Sequence, residues 1–188
     1  TPTGAEPVNT LSASGSYSGK IRHMKIASGY GTGIFYGDFL KPVAAGTVEK
    51  DTGTATLTPI GVFVGCSYTD PTSQQLTFNQ QWPTGTVAAD AMAYVVDDPD
   101  VVMQMQSDEA IAQTGLFNNV DVVQTAGSTA IGRSKNALNG GNIATTNTLP
   151  LRIVEFVDGP TSTVGDAYTD CLVSFVPTMH RYRNILGT

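Results

Sequence analysis

GVFVGCSYTDPTSQQLTFNQQWPTGTVAADAMAYVVDDPDVVMQMQ, residues 61–106, contains the pattern that decides the fold class. Its apolar runs are four to seven residues long, are rich in Val, Phe and Tyr, and end at Gly, Pro, Asp or Asn. Runs of this length are too short for a helix and suit a pleated sheet. The stretch therefore predicts a mainly β protein.

The sharpest break in this stretch is DDPD at residues 97–100. Pro99 fixes φ and donates no backbone N–H, and neighbouring Asp side chains accept hydrogen bonds from nearby amides. We expect a tight reversal that joins residues 91–96 to residues 101–106 as antiparallel partners. Alternation in residues 101–106 (VVMQMQ) predicts a buried face and a wetter face. WPTG at residues 82–85 predicts a type I turn.

Closely spaced turn residues predict further short strands along the chain. These are expected near residues 20–28, 34–36, 39–43, 46–50, 54–58, 119–124, 151–157 and 170–179. The last two are apolar on both faces, so we expect them to lie centrally or beneath a second sheet. Residues 108–114 and 132–139 are expected to form short helical pieces, and residues 139–148 a polar loop. The pattern favours one β-sandwich or barrel, jelly-roll-like in character.

The first part of the chain differs in composition from the rest. Residues 1–19 are small, polar and rich in Pro and Gly. They predict an extended N-terminal arm, either disordered or ordered on a neighbouring molecule. Residues 20–188 are expected to form a single β-rich domain.

Composition limits the partners of the protein. The 188 residues carry a net charge of −6, which disfavours nucleic acid, because binding phosphates requires a basic field. Only 14% of residues are charged, so partners or neutral polar side chains are expected to cover the surface. No apolar run reaches the roughly 20 residues of a membrane span. Cys66 and Cys171 lie in apolar runs and are expected to be buried free thiols, in a protein assembled in a reducing cytoplasm.

No motif for catalysis or for a cofactor is evident. His23 and His180 are the only histidines, and neither accompanies a nucleophile motif. The acidic residues at 97, 98 and 100 offer oxygen ligands to Ca²⁺, but a solvated turn is the simpler interpretation. GYGTG at residues 29–33 lacks the spacing of a dinucleotide loop. A pair of carboxylates for glycoside cleavage remains an open possibility, because such a pair is brought together only by folding. We expect a protein with no enzymatic activity and no cofactor.

Several segments, in order, resemble a family of phage proteins. They are GIFYGDFLKPVAAGTVEK, TPIGVFVGCSY, FNQQWPTGT, AYVVDDPDVVMQMQ, GRSKNAL and LRIVEFV, within residues 33–182. The order and the sequences of these segments resemble those of the small head-associated structural proteins of tailed bacteriophages, in particular the cement or decoration proteins of aquatic phages. The resemblance implies a decoration-protein-like β domain without an active site. It also implies a place on the outer capsid surface of the virion, after synthesis in the bacterial host cytoplasm.

That family implies a homotrimer that joins neighbouring subunits of the major capsid protein. Together with the arm and the basic strand after it, this makes eight residues candidates for capsid contact: Thr1, Pro2, Val8, Leu11, Tyr17, Lys20, Arg22 and Lys25. Three alternatives stay open. They are another virion subunit (tail tube, connector or minor capsid protein), a carbohydrate-binding β-sandwich using Trp82 and Tyr94, and an enzyme with a perturbed carboxylate or histidine in a cleft.

Overall fold

The computed structural model describes residues 1–13 and 16–188, and within them the chain is almost entirely strand and turn. The strands are β1 (Glu6–Thr10), β2 (Arg22–Lys25), β3 (Ile34–Phe35), β4 (Phe39–Pro42), β5 (Val48–Lys50), β6 (Gly61–Thr69), β7 (Leu76–Asn79), β8 (Gln81–Trp82), β9 (Met92–Val96), β10 (Val101–Gln106), β11 (Asn119–Val123), β12 (Ala137–Ala144), β13 (Leu151–Phe156) and β14 (Asp170–Phe175). A 3₁₀ helix spans Gln113–Gly115.

The strands form two six-stranded antiparallel sheets. The first sheet has the order β1-β10-β14-β13-β11-β12, and the second has the order β2-β9-β6-β4-β5, with β7 also paired to β6. Strands β3 and β8 form a separate pair. Neither sheet closes into a barrel within the described residues. The prediction of a mainly β protein with few helices is confirmed.

The two sheets share a hydrophobic core. Met103 and Val173 of the first sheet belong to the same buried cluster as Val62 of the second sheet. Phe39 and Phe175, one from each sheet, meet edge to face with ring centroids 5.8 Å apart. A second cluster, which includes Trp82, fills the space under the second sheet. The two sheets therefore pack against each other near the first residues of β6, around Val62.

Several expectations about individual strands are confirmed. Met103 and Met105 are buried whereas Gln104 and Gln106 are only partly buried, as the alternation in β10 predicts, although Val102 on the predicted wetter face is also buried. Strands β13 and β14 lie inside the first sheet. Both cysteines are free and buried.

The expected N-terminal arm is, over its first ten residues, part of the domain. Strand β1 pairs with β10 as the edge of the first sheet, and Ala5 lies in the shared core. The Ala5 amide also donates to the Gly37 carbonyl at 2.9 Å. A polar sequence is tolerated here because an edge strand needs only one hydrogen-bonded side, and such a strand accommodates Pro7. The idea that residues 1–19 order only on a neighbour is therefore wrong for this part.

The pairing predicted across residues 97–100 is also wrong. The chain turns there, with the Val101 amide donating to the Asp98 carbonyl at 3.2 Å. However, β9 belongs to the second sheet and β10 to the first. Val96 and Val101 are both buried in the shared core, so the turn carries the chain from one sheet to the other. Burial of both flanking valines outweighs hairpin formation at this turn.

Five local predictions fail, wholly or in part. Residues 54–58 turn rather than extend, because the Asp51 carboxylate accepts hydrogen bonds from the Gly53 and Thr58 amides at 3.0 and 2.9 Å. No helix forms at residues 132–139, where β12 begins at Ala137 and pairs with β11. The loop expected at 139–148 is strand as far as Ala144 and irregular over residues 145–148. Residues 108–114 contribute only to the 3₁₀ helix. The turn expected at 82–85 starts one residue later, where Gly85 takes a φ of +73°.

The turn at residues 97–100 is held by contacts from three other parts of the chain. The buried Asp97 carboxylate accepts hydrogen bonds from Arg22 Nε at 2.5 Å and from the Tyr182 hydroxyl at 2.6 Å. Arg183 pairs with Asp100 at 3.0 Å. The Leu11 amide donates to the Asp100 carbonyl at 2.7 Å. The turn thus joins the end of β1, the start of β2 and the C-terminal residues, and we call this arrangement the Asp97 junction.

We predict that Asp97→Ala lowers the free energy of unfolding by about 2 kcal/mol, because it removes a buried acceptor and leaves two donors without their partner. Chemical denaturation measures the change. Glu155→Ala is the control, since Glu155 is exposed on β13. Equal unfolding midpoints for the two variants would show that the Asp97 junction does not stabilise the fold.

Candidate binding surfaces

The predicted capsid-contact residues divide into three groups in the structure. Val8, Leu11, Tyr17, Lys20 and Arg22 lie on or beside the segment that runs from the edge of the first sheet to the edge of the second. Thr1 lies elsewhere, beside Gln104 and Asp170, with Pro2 next to it in the chain. Lys25 is at the far end of β2.

Tyr17 is the centre of the first group. It packs partly against the shared core, and its side chain lines two adjacent grooves. One groove also contains Pro7 and Ile21, and the other contains Lys20 and Asp98. Burial raises the pKa of the Tyr17 hydroxyl above its ordinary value of 10.0. We define the N-terminal seam as Val8, Leu11, Tyr17, Lys20, Ile21 and Arg22.

The seam exposes large apolar side chains. Val8, Leu11 and Ile21 are 39%, 56% and 47% exposed. Ile21 was not among the sequence candidates, because it sits within a basic run and gives no periodic signal. Lys20 is exposed beside it, whereas the Arg22 guanidinium is bound by Asp97, which raises the pKa of Arg22. An apolar strip with one engaged and one accessible cation is suited to contact with another protein surface.

A second surface lies on the outer face of the second sheet. Register places Phe78 opposite Ser67, and Tyr94 opposite Gly65. Phe78 is 69% exposed and Leu76, two residues before it on the same face, is 61% exposed. We define the Gly65 groove as the depression of about 470 Å³ lined by Tyr36, Gly65, Phe78, Gln80, Tyr94 and Arg133.

Trp82 does not contribute to this or any other surface. It is 1% exposed, and its indole N–H donates to the Tyr30 carbonyl at 3.2 Å. Its ring meets Tyr68 edge to face at 5.4 Å. A carbohydrate site built on Trp82 is therefore wrong, although Tyr94 is on an open face as expected.

The candidates for catalysis are placed apart. His23 is exposed and stacks on Tyr94 at 4.5 Å, whereas His180 is fully buried against Phe175 and Tyr182. Burial raises the pKa of both Cys66 and Cys171 to about 12. In residues 1–13 and 16–188, no three His, Cys, Asp or Glu side chains are grouped as ligands for a metal ion. The acidic residues at 97, 98 and 100 are used within the Asp97 junction.

Comparison with known proteins adds no relative: no family model, no curated protein and no solved structure matches the chain. Among the described residues, none of the helical structure is long and apolar enough to span a membrane.

His180 makes the C-terminal residues sensitive to acid. Its Nδ1 accepts a hydrogen bond from the Tyr182 amide at 3.2 Å, which requires the imidazole to be unprotonated at that atom. Burial lowers the pKa of His180 from 6.5 to about 4, and nearby backbone and carboxylate groups only partly oppose this effect. The unfolded chain therefore takes up the proton at a higher pH than the folded chain does.

We predict that this histidine costs on the order of 2–3 kcal/mol of stability as the pH falls from about 6.5 to about 4. Denaturation across this range, compared with His180→Gln, isolates the contribution because the variant cannot bind the proton. The variant is expected to be less stable at pH 7 and to lose less stability on acidification. The same pH dependence in both proteins would refute the assignment.

Proposed function

We propose that this chain is a virion structural protein of a tailed bacteriophage, a cement or decoration protein on the outer surface of the icosahedral head. In this role it joins neighbouring subunits of the major capsid protein, and it self-associates as a homotrimer. The ordered set of segments that resembles the cement proteins supports the assignment. The N-terminal seam is the structural feature that supports it, since it exposes Val8, Leu11 and Ile21 on and beside the edge strands of the two sheets.

The physical role follows from linkage. A head under internal DNA pressure fails where capsid subunits separate, and a protein that binds only the closed junction stabilises that state. Each contact needs no more than the area of an ordinary stable interface, roughly 1,600 Å². A trimer adds avidity, because its second and third contacts are intramolecular.

The seam is arranged for such a contact. Leu11 follows the edge strand of the first sheet and Ile21 precedes the edge strand of the second, so both apolar groups are held by the Asp97 junction. Within residues 1–13 and 16–188, β1 and β2 are the outermost strands of their sheets, so their outer edges are available for strand addition by an arm of the shell. Deleting residues 1–18 is an unsuitable test, since it removes β1 from the sheet.

We predict that the double variant Leu11→Ser/Ile21→Ser binds heads more weakly than the wild type, because it removes exposed apolar area without touching the core. Phage heads that lack this protein are mixed with purified protein, and bound copies per head are counted after sedimentation. A decrease of about tenfold or more in affinity is expected.

Ile131→Ser is the matched control, because Ile131 is 62% exposed and lies outside the seam. If wild type, control and double variant all bind equally, the seam is not the contact. If the wild type does not bind heads but is found in the tail or the connector of the particle, the cement assignment itself is overturned in favour of another virion subunit.

A further inference from the structure

We propose that the Gly65 groove is a binding site for an acidic saccharide, specifically a pyranose ring that carries a carboxylate. The proposal rests on the outer face of the second sheet together with Tyr36 and Arg133 beside it, and does not depend on the virion assignment or on the N-terminal seam.

The floor of the groove is open because residue 65 has no side chain. Gly65 has a φ of +149° and sits where the β6–β9 register shifts between Phe63 and Gly65. A Cβ at this position would lie 3.3 Å from the Asn79 carbonyl oxygen and 3.6 Å from the Tyr94 ring. Any other residue would therefore project a side chain between the groove walls. The bulge and the glycine together create a shallow depression in an otherwise continuous sheet face.

The walls are aromatic. Phe78 stands on β7 on one side of the floor, with 69% of its surface exposed, and Tyr94 stands on β9 on the other. Tyr36 closes one end. Aromatic faces carry negative charge density, and they attract the weakly positive C–H groups on the faces of a pyranose ring. The volume of about 470 Å³ is within the range of small-ligand sites.

Arg133 supplies a cation to this apolar setting. Its guanidinium lies over the Tyr36 ring at 5.1 Å, and its ion pair with Glu6 is long, at 3.9 Å. Guanidinium groups bind carboxylates through two parallel hydrogen bonds, so a uronate carboxylate matches this position. The exposed side chain of Gln80 lines the groove and offers a donor and an acceptor for sugar hydroxyls.

The charge around the groove favours an anionic sugar over a neutral one. His23 and Lys25 follow on the same face, paired with Tyr94 and Met92. Among acidic groups, Glu6 makes the long ion pair with Arg133, and Asp90 is engaged by the amide and hydroxyl of Thr69. The chain as a whole carries a charge of −6, so the local positive charge of Arg133 and Lys25 determines where an anion binds.

Isothermal titration calorimetry with hexamers of galacturonate, mannuronate and guluronate tests the site, with the methyl ester of each hexamer as the uncharged match. At least one acid is expected to bind, more tightly than its ester. Phe78→Ala and Tyr94→Ala are each expected to weaken both forms about tenfold. Arg133→Gln is expected to remove the preference for the acid while leaving the ester unchanged.

Tyr168→Ala is the control, because Tyr168 is an exposed aromatic residue elsewhere on the surface, and it is expected to bind as the wild type does. The altered side chains are at the surface, and thermal unfolding checks that each variant is folded. Binding to none of the three acids, or binding that survives both aromatic substitutions, overturns the proposal. So does concentration-dependent self-association that Phe78→Ala abolishes, since the face would then belong to a second copy.

Discussion

One buried carboxylate, that of Asp97, fixes the turn by which the chain crosses between the two sheets that share the hydrophobic core. It sits where the chain leaves β9 of the second sheet for β10 of the first, and it binds Arg22 and Tyr182. A buried carboxylate without donors would be strongly disfavoured, so its partners are required rather than optional. The start of β2 and the C-terminal residues are thereby fixed to the same turn. The exposed seam beside the junction gets its shape from this constraint.

A second buried carboxylate, that of Asp38, joins β4, β5 and the residues before β12. Asp38 is fully buried and pairs with Lys50 at 3.0 Å, while its other oxygen accepts from Asn136 Nδ2 at 3.3 Å. The Phe35 amide also donates to this carboxylate at 2.9 Å. Such pairs contribute little net stability over an apolar core, but removing one partner is costly. The network therefore favours one arrangement of β4, β5 and the residues before β12 over alternatives of similar hydrophobicity.

The sequence predicted the class of the fold much better than its pairing. Alternation in β10 and short apolar runs are local properties, and they were sufficient for a mainly β protein with Met103 and Met105 inside. Which strands pair depends on contacts far apart in sequence. Asp97 was recognised as a turn residue, but its partners Arg22 and Tyr182 are 75 and 85 residues away. Strand β12 was missed because two glycines and several polar residues in an edge strand read as a loop.

Composition drew attention to the residues of the seam, because the polar arm and the basic residues Lys20 and Arg22 differ from the rest of the chain. Ile21 was missed, and whether the seam is a binding surface stays a prediction. The Gly65 groove depends on β7 lying beside β6, with Phe78 and Tyr94 on either side of a bare glycine, and no local pattern signals that arrangement. Trp82 stood out in the sequence as the only tryptophan, yet its ring fills the core. A residue that is chemically distinctive is not thereby accessible.

The central claim is that this protein acts by adhesion to a phage head. Cryo-electron microscopy of the intact particle, with density fitted to this fold, tests that claim most directly. The account predicts density for the two-sheet body on the outer surface of the head, with Leu11 and Ile21 of the seam facing the major capsid protein. Density confined to the tail or the interior of the head, or the absence of this chain from purified particles, would contradict it.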